Sequence, residues 1–400
     1  MVYPINVKNL IHTLLGSYVI FNFIDRDISY VFLLLGLFLC LYSLFVKQIS
    51  LTIVNKKLLY INVFFLIHIF ALTLYHNNPI STIDNYSRLI ILFPILVYLS
   101  EYKISKKFFE YILLISTAAM FIIYLYELYF LELKYPGWSG RYNGTSNNPI
   151  SYGNIVMTLG VICLCSFAYN LQRGLISISL LLSFLICFFI WSETEAKGSF
   201  IGFFLSILAL LCLTPIIRKK LYLVLLFLLP FLFVPNISNL IKDTYNSIND
   251  TNFSKIESSI NTNHSINERK YFIFYSIKSI SDHPITGVSS DDFYKDMSKD
   301  IKNRNINIVA SKDAHNEFLD VFAKYGLMGM FLFLSIFIYI LYIFVIHRNN
   351  YFSYIGLFTL IAQLGFMLTK SQFASQQSTV FFIVLLYICL SSFNKESQKK

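Results

Sequence analysis

The stretch from Gly326 to Ile346, GLMGMFLFLSIFIYILYIFVI, decides the fold class because it contains no charged side chain. A helix of this length covers roughly the 30 Å hydrocarbon core of a bilayer. The whole chain has the same character, since 56% of its 400 residues are hydrophobic and only 14% are charged, against about 25% charged in soluble domains. Its 40 Phe and 28 Tyr are more than a soluble fold of this size would bury. The composition therefore predicts a membrane protein.

Twelve apolar runs along the chain are long enough, or nearly so, to cross a bilayer. We therefore predict an all-α polytopic membrane protein with about twelve transmembrane helices. The runs lie near residues 9–24, 29–46, 58–76, 85–100, 107–130, 150–169, 174–190, 199–214, 221–239, 326–346, 351–369 and 378–393.

Lys and Arg concentrate in alternate short connections, a bias that marks the cytoplasmic side of a membrane protein. With the N-terminus inside, the cytoplasmic segments hold Lys47, Lys56, Lys57, Lys103, Lys106, Lys107, Arg173, Arg218, Lys219, Lys220, Arg348, Lys395, Lys399 and Lys400. The short outer connections hold only Arg26, Lys134, Arg141, Lys197 and Lys370. We therefore expect both termini in the cytoplasm. No small-residue cleavage site follows the first apolar run, which is expected to stay as a membrane helix.

One connection, residues 236–314, is much longer than the others and rich in Asn, Ser, Asp and Lys. It contains apolar residues at helical spacing that stop at Pro284 and Gly287, which predicts an amphipathic helix. These residues are Ile266, Phe272, Tyr275, Ile277 and Ile280. The predicted organisation is helices 1–9 in residues 1–235, a large outer loop in 236–325, and helices 10–12 with a cytoplasmic tail in 326–400.

The net charge of +10 does not indicate a nucleic-acid partner, because no basic block with interleaved aromatics is present. Topology accounts for the charge instead. The six cysteines all fall inside apolar runs, without the paired spacing of a metal site or a disulfide framework. We expect them to be small residues of the core or the lipid-facing surface.

The unusual polar residues all fall on the expected outer side of the membrane, in residues 140–153, 191–200, 269–270 and 315–316. Each has an ordinary interpretation. His315 could be a solvated loop residue or a helix cap, Lys197 could snorkel to headgroups, and Arg269 could be a plain surface charge. Arg88 lies inside the fourth predicted span, where a charge must pair or line a cavity.

Together these pieces resemble the O-antigen ligase and polymerase superfamily. Residues 314–333, AHNEFLDVFAKYGLMGMFLF, are similar to its signature, in which a His-Asn pair opens a short periplasmic helix and a Gly-Leu-x-Gly step leads into the next span. Residues 267–293, NERKYFIFYSIKSISDHPITGVSSDDF, resemble its arginine-bearing helix and Pro-x-x-Gly turn. The resemblance covers roughly residues 140–370 and implies a GT-C-like glycosyltransferase architecture.

The resemblance implies glycosyl transfer at the periplasmic face from a glycan linked to undecaprenyl diphosphate. The catalytic histidine of the family maps onto His315, and its loop arginine onto Arg269. A second family arginine follows the seventh span in a Ser/Thr-Arg-Gly context. This chain has Glu195-Ala196-Lys197-Gly198 there. Lys197 is therefore the expected substitute, although lysine keeps the charge without the bidentate fork that suits a diphosphate.

These residue types suit the chemistry of glycosyl transfer from a diphosphate. Arg269 and Lys197 would stabilise the negative charge on the leaving lipid diphosphate. His315 would accept the proton of the attacking sugar hydroxyl. We expect Asn316 or Glu317 to orient it.

Arg88 and Arg141 are expected to support this site, whereas Glu193 and Glu195 receive no role. No acidic constellation resembles a metal site. We therefore expect a metal-independent reaction that needs no cofactor.

The leading hypothesis is an O-antigen ligase of the bacterial inner membrane that transfers polysaccharide to lipid A-core. The alternative is an O-antigen polymerase that joins lipid-linked repeat units. One large outer loop and the His-Asn segment favour the ligase, whereas Lys197 in place of arginine favours the polymerase. The expected partners are the lipid-linked glycan, lipid A-core and membrane lipids. A transporter would show mid-span charges in two related halves, and the sequence has no such duplicated pattern.

Overall fold

The computed structural model describes residues 7–47, 49, 51–130, 141–171, 174–213, 264–304 and 308–393. Over these residues the chain is helical and contains no β-strand. Three short 3-10 helices, at Ile80–Ile83, Gln372–Ala374 and Ser391–Phe393, accompany the α-helices. The α-helices are α1 (Val7–Phe21), α2 (Arg26–Lys47), α3 (Ile53–Tyr75), α4 (Asp84–Ile91), α5 (Phe93–Glu101), α6 (Lys106–Phe130), α7 (Pro149–Tyr169), α8 (Leu175–Thr194), α9 (Lys197–Leu213), α10 (His264–Asp282), α11 (Ser290–Asn303), α12 (Glu317–Ile346), α13 (Tyr351–Met367) and α14 (Gln376–Leu390).

Seven helical segments of the described chain are long and apolar enough to cross a membrane. They are α2, α3, the segment Ile80–Glu101, α6, α7, α8 and α12, with α9, α13 and α14 as shorter apolar helices. The prediction of a polytopic helical membrane protein is therefore confirmed. Every predicted span except the ninth coincides with a helix or helix pair, and the ninth, residues 221–239, lies outside the described residues. The number of crossings stays a prediction.

The fourth predicted span differs from the expected single helix. It is divided into α4 and α5 at Leu92, and Pro94 stands in the first turn of α5. Proline has no backbone N–H and its ring clashes with the preceding turn, so it starts a helix readily and interrupts one that would otherwise continue. The sequence signal for this break was a single proline inside an apolar run.

Helix α7 lies in the interior of the helix assembly, with nearly every residue from Pro149 to Ser166 buried. It packs against α8, α9, α13 and α14. Helices α9 and α13 approach closely where Gly202 meets Gly365, because a Cβ on either glycine would collide with the backbone of the other helix. Such contacts between small residues are typical of helices packed in membranes.

The described part of the long loop, residues 264–304 and 308–325, contains a small cluster of packed side chains of its own. The expected amphipathic helix is present as α10, and its Tyr271, Phe272 and Tyr275 pack with Phe293 and Met297 of α11. This cluster of buried side chains is separate from the core of the helix assembly.

Two glycines fasten the loop to α12. Gly326 breaks the helical geometry of α12 with a φ of +66°, and Gly287 has a φ of +68°. The Leu327 N–H donates to the Pro284 carbonyl at 2.9 Å, and the Val288 N–H donates to the Ala323 carbonyl at 2.9 Å. A Cβ at either glycine would collide with the backbone of the opposite segment. We call this contact of residues 284–288 with residues 323–327 the glycine latch.

Candidate functional site

His315 lies in the segment that runs from the outer loop to the first turn of α12. Its backbone has a φ of +51°, and its N–H donates to Asp313 Oδ1 at 3.0 Å. The ring Nδ1 lies 3.4 Å from the same carboxylate oxygen, and 37% of the side chain is exposed. The carboxylate thus lies beside the ring, at a distance longer than that of a typical hydrogen bond. The pair Asp313–His315 places a carboxylate next to a partly exposed imidazole, which makes His315 a candidate general base.

A buried ion pair holds the backbone that carries this pair. Lys324 Nζ lies 2.8 Å from Asp320 Oδ2, and the two residues are 6% and 4% exposed. Asp320 Oδ1 accepts a hydrogen bond from the Ala314 N–H at 2.9 Å, and Lys324 donates to the Lys312 carbonyl at 2.8 Å. The ion pair thus binds both ends of the segment 312–314, next to the catalytic candidate.

His315 opens onto a polar cleft with a volume of about 540 Å³. The first turns of α2, α7 and α14 reach this cleft, so the positive ends of three helix dipoles lie around it. Its lining residues are Arg26, Asp27, Tyr30, Ser146, Asn147, Asn148, Ser151, Asp313, His315, Lys370, Ala374, Ser375, Gln376 and Gln377.

Lys370 is the lysine of this cleft. Its Nζ donates to Ser151 Oγ at 2.5 Å. Burial lowers the pKa of the Lys370 ammonium to about 8, although the negative charges of Asp313 and Glu317 act in the opposite direction. The cleft therefore brings a partly desolvated cation close to the Asp313–His315 pair.

Two polar side chains of the cleft have atoms without a hydrogen-bond partner among the described residues. They are the hydroxyl of Tyr30 and Oε1 of Gln377. The Gln377 amide nitrogen donates to Asn22 Oδ1 and Thr145 Oγ1, each at 3.1 Å. The amide nitrogen thus fixes the side chain, and its oxygen is buried without a hydrogen-bond partner among the described residues.

Arg269 lies on α10, one turn before Phe272. The ring of Phe272 packs on the ring of His315 with centroids 5.2 Å apart, which brings this face of α10 over the histidine. Burial lowers the pKa of the Arg269 guanidinium, and the positive charge of Arg141 lowers it further. Arg141 donates to the Thr194 and Glu195 carbonyls, each at 3.0 Å. The positive charges of Arg141 and Arg269 thus act on each other, and a bound anion would reduce their electrostatic repulsion.

Lys197 begins α9 and is exposed, and it does not line the cleft. The next residue, Gly198, packs against the side chain of Thr369, where a Cβ would collide with the threonine hydroxyl. Because Lys370 follows Thr369 in the sequence, Lys197 and Lys370 are each adjacent to one residue of this contact.

Asn316 and Glu317 differ from the expectation that one of them orients His315. Asn316 Oδ1 accepts from the Leu319 N–H at 3.1 Å as the cap of α12, and its amide nitrogen donates to the Leu368 carbonyl at 3.0 Å. Glu317 is fully buried and accepts from the Tyr86 hydroxyl at 2.8 Å and the Phe373 N–H at 2.9 Å. Both residues brace α12 against its neighbours, and Asp313 is the residue that faces the imidazole.

Arg88 is also engaged away from the cleft. It is 8% exposed, donates to the Phe373 carbonyl at 3.1 Å and pairs with Asp84 at 2.8 Å. Together with Glu317 it holds the 3-10 helix at Gln372–Ala374, next to the cleft-lining residues 374–377. Arg88 thus supports the site from behind without facing it.

Sequence reasoning missed Asp313, Lys370 and the neutral polar residues of the cleft. Asp313 stands two residues before His315 in SKDAHN, and this i, i+2 spacing was the available signal. Lys370 was counted only as a basic residue of a short outer connection. No local pattern connects it to His315, because the two meet only through the packing of α7, α12 and α13.

Comparison with known proteins agrees with the motifs. Residues 158–334 match the O-antigen ligase family, a range that includes Lys197, Arg269 and His315. The chain is also 21% identical, over 350 residues, to an uncharacterized protein of Haemophilus influenzae. The aligned region covers 84% of this chain and 86% of that protein. Residues 158–334 are therefore similar to the O-antigen ligase family, in agreement with the resemblance that the His-Asn segment carries.

Proposed function

We propose that this protein is an O-antigen ligase of the bacterial inner membrane. It transfers a polysaccharide from undecaprenyl diphosphate to the lipid A-core of lipopolysaccharide at the periplasmic face. The observation that carries the proposal is the Asp313–His315 pair, which opens onto a polar cleft and is covered by the arginine-bearing helix α10.

The reaction follows from these positions. Nε2 of His315 takes the proton of an acceptor hydroxyl as the hydroxyl oxygen bonds to the anomeric carbon of the donor sugar. The bond between that carbon and the diphosphate oxygen breaks, and its electron pair leaves with the lipid diphosphate. Asp313 stabilises the imidazolium that forms, and Arg269 and Lys197 stabilise the departing diphosphate. Since side-chain cations provide this charge, the proposed reaction needs no metal ion.

The neutral part of the cleft suits the sugars. Asn147, Asn148, Gln376 and Gln377 carry amides that can both donate to and accept from hydroxyl groups. A volume of about 540 Å³ is in the usual range of small-molecule sites. We assign this part of the cleft to the saccharide nearest the new bond.

The second candidate is an O-antigen polymerase, which would use the same donor with a lipid-linked repeat unit as acceptor. The observation that favours it is Lys197, where the ligase resemblance leads one to expect an arginine. The general base and the cation sites would be the same in either enzyme, so the acceptor decides between them.

The test is the lipopolysaccharide banding pattern of a host that lacks the gene, together with the glycan that remains on undecaprenyl diphosphate. Long polymer stranded on the carrier beside bare lipid A-core supports the ligase. Core capped by a single repeat unit supports the polymerase, and an unchanged ladder contradicts both.

The complementing gene then tests the site. We expect His315→Ala to lower transfer at least about 100-fold, the usual contribution of a positioned general base. His283→Ala is the matched control, because His283 is an exposed histidine of the same loop that does not line the cleft. Full transfer by His315→Ala at normal expression would contradict the proposed mechanism.

A further inference from the structure

Lys370 has a charge that the described residues do not neutralise. Its hydrogen-bond partner among the described residues is the Ser151 hydroxyl, whereas an ammonium group has three hydrogens to donate. No carboxylate within the described chain lies within ion-pair distance of its Nζ. A partly desolvated cation without a counter-ion is costly, and an anionic ligand would offset that cost.

The two carboxylates near Lys370, those of Asp313 and Glu317, contact other groups. Asp313 accepts from the backbone N–H of His315 and lies against its ring. Glu317 accepts from Tyr86 and from the Phe373 N–H. Neither carboxylate lies within ion-pair distance of the Lys370 ammonium.

The surroundings of Lys370 also favour an anion. Helix α14 begins beside it, and the cap residue Ser375 makes no side-chain hydrogen bond to the first turn. The Ser375 hydroxyl donates instead to Ser151 Oγ at 3.0 Å, the same oxygen that Lys370 contacts. First-turn N–H groups without a cap, at the positive end of a helix dipole, attract negative charge.

Lys370 also connects the cleft with Lys197. Thr369 packs against Gly198 at the start of α9, so the two lysines flank one contact between helices. Lys197 is exposed and does not line the cleft, whereas Lys370 lines it together with His315. The two lysines are thus each adjacent in sequence to one residue of the same contact between helices.

We propose that Lys370 binds the diphosphate of the lipid-linked donor in the cleft beside His315. This inference rests on the proposed function and adds to it a third cation, which contacts the leaving group directly. Lys370 donates hydrogen bonds to the diphosphate oxygens as the sugar–oxygen bond breaks. No proton is transferred from the ammonium group to the diphosphate in this step. The lipid-side diphosphate, rather than a phosphate on the acceptor, is its ligand.

The binding test uses the purified full-length protein in detergent, with pyrophosphate and orthophosphate as the two probes in equilibrium dialysis. We expect wild type to prefer pyrophosphate, and Lys370→Met to weaken pyrophosphate binding at least about tenfold, since charge-assisted hydrogen bonds are the strong ones. Lys370→Arg should retain most of the affinity. Lys312→Met is the matched control, because Lys312 is an exposed lysine of the neighbouring segment that does not line the cleft.

The transfer assay in the complemented host separates this inference from the proposed function. Lys370→Met with normal pyrophosphate binding overturns the inference, whether or not transfer falls, because a loss of transfer alone would then be structural. Equal affinity for orthophosphate and pyrophosphate overturns the assignment to a diphosphate. If Lys370→Met does not fold, Lys370→Gln takes its place, because it keeps a donor for Ser151 and removes only the charge. An unchanged lipopolysaccharide ladder in the host that lacks the gene would instead overturn the proposed function itself.

Discussion

The two sides of the cleft are built in different ways. One side, which we call the wall, consists of the first turns of α2, α7 and α14 and the turn around Lys370, all anchored in the main helix assembly. The other side, which we call the cover, consists of α10, α11 and residues 308–316, with a small core of its own. The glycine latch and the Asp320–Lys324 ion pair connect the cover to α12.

The proposed general base and the residues expected to contact the substrate are therefore held in place by different parts of the fold. His315 depends on the cover and on the fastenings of the cover to α12. Lys370, Ser151 and Gln377 depend on packing between helices. A change in the cover should therefore misplace the base while the wall stays intact, and a change in the wall should alter binding while the base stays in place.

The largest effect is expected from Asp320→Ala, which removes one partner of a buried ion pair and leaves the Lys324 charge unpaired. Loss of one partner of such a pair costs about 3–5 kcal/mol. The free energy of unfolding should fall by this order, and the Ala314 amide should exchange its hydrogen much faster. Denaturant titration and hydrogen exchange measure the two effects.

The matched control for this change is the double variant Asp320→Leu with Lys324→Met. It removes both charges, so it should lose less stability than Asp320→Ala. Equal losses in the two variants would contradict the role of the ion pair in holding residues 312–314.

Asp313→Asn should come next, with a fall in transfer of about 100-fold and little change in folding stability. The amide lacks the charge that would stabilise the His315 imidazolium, which is the contribution of the carboxylate beside the histidine of a Ser-His-Asp triad. Asp313→Glu, which keeps the charge, should recover part of the activity. Rate measurements on purified protein of equal melting temperature check this, and a fully active Asp313→Asn would remove Asp313 from the mechanism.

Gly326→Ala should loosen the latch and cost about 1–3 kcal/mol, because a side chain at a φ of +66° is strained. Its Cβ would also meet the backbone at Ile285. The control is Gly36→Ala in α2, where the Cβ would make ordinary contacts of 3.5 Å with side chains. Thermal unfolding should separate the two variants, and equal melting temperatures would show that the latch contributes little.

The fold of the main helix assembly could be predicted from the sequence because apolar length alone identifies a membrane helix. The hydrocarbon core sets a minimum length, and runs such as 326–346 meet it without any knowledge of neighbouring helices. The break at Leu92 was missed because the run of residues 85–100 stays apolar on both sides of Pro94. Apolar composition indicates which segments are buried in lipid, but it gives little indication of where the backbone hydrogen bonding of a helix is interrupted.

Parts of the cover could be predicted because their motifs are local in sequence, although Asp313 was not among the predicted residues. Pro284, Gly287, His315 and Gly326 belong to two short patterns, and the latch explains why those patterns need glycine. The wall could not be anticipated in this way. Lys370 and Ser151 are separated by more than 200 residues and meet through helix packing, which leaves no periodic or local signal.

The smallest effect is expected from Gln377→Met, which changes only the wall. The variant loses the donor to Asn22 and Thr145 and the buried amide oxygen, at a cost of about 1 kcal/mol. If the Gln377 side chain shapes the site of an acceptor sugar, the KM for lipid A-core should rise about fivefold with little change in kcat. Gln363→Met is the control, since the Gln363 amide donates to Thr158 inside the helix core, away from the cleft. It should lower stability similarly and leave KM unchanged. A fall in kcat at constant KM would instead mean that the wall, like the cover, positions the reacting groups, and the distinction between the two sides would not hold.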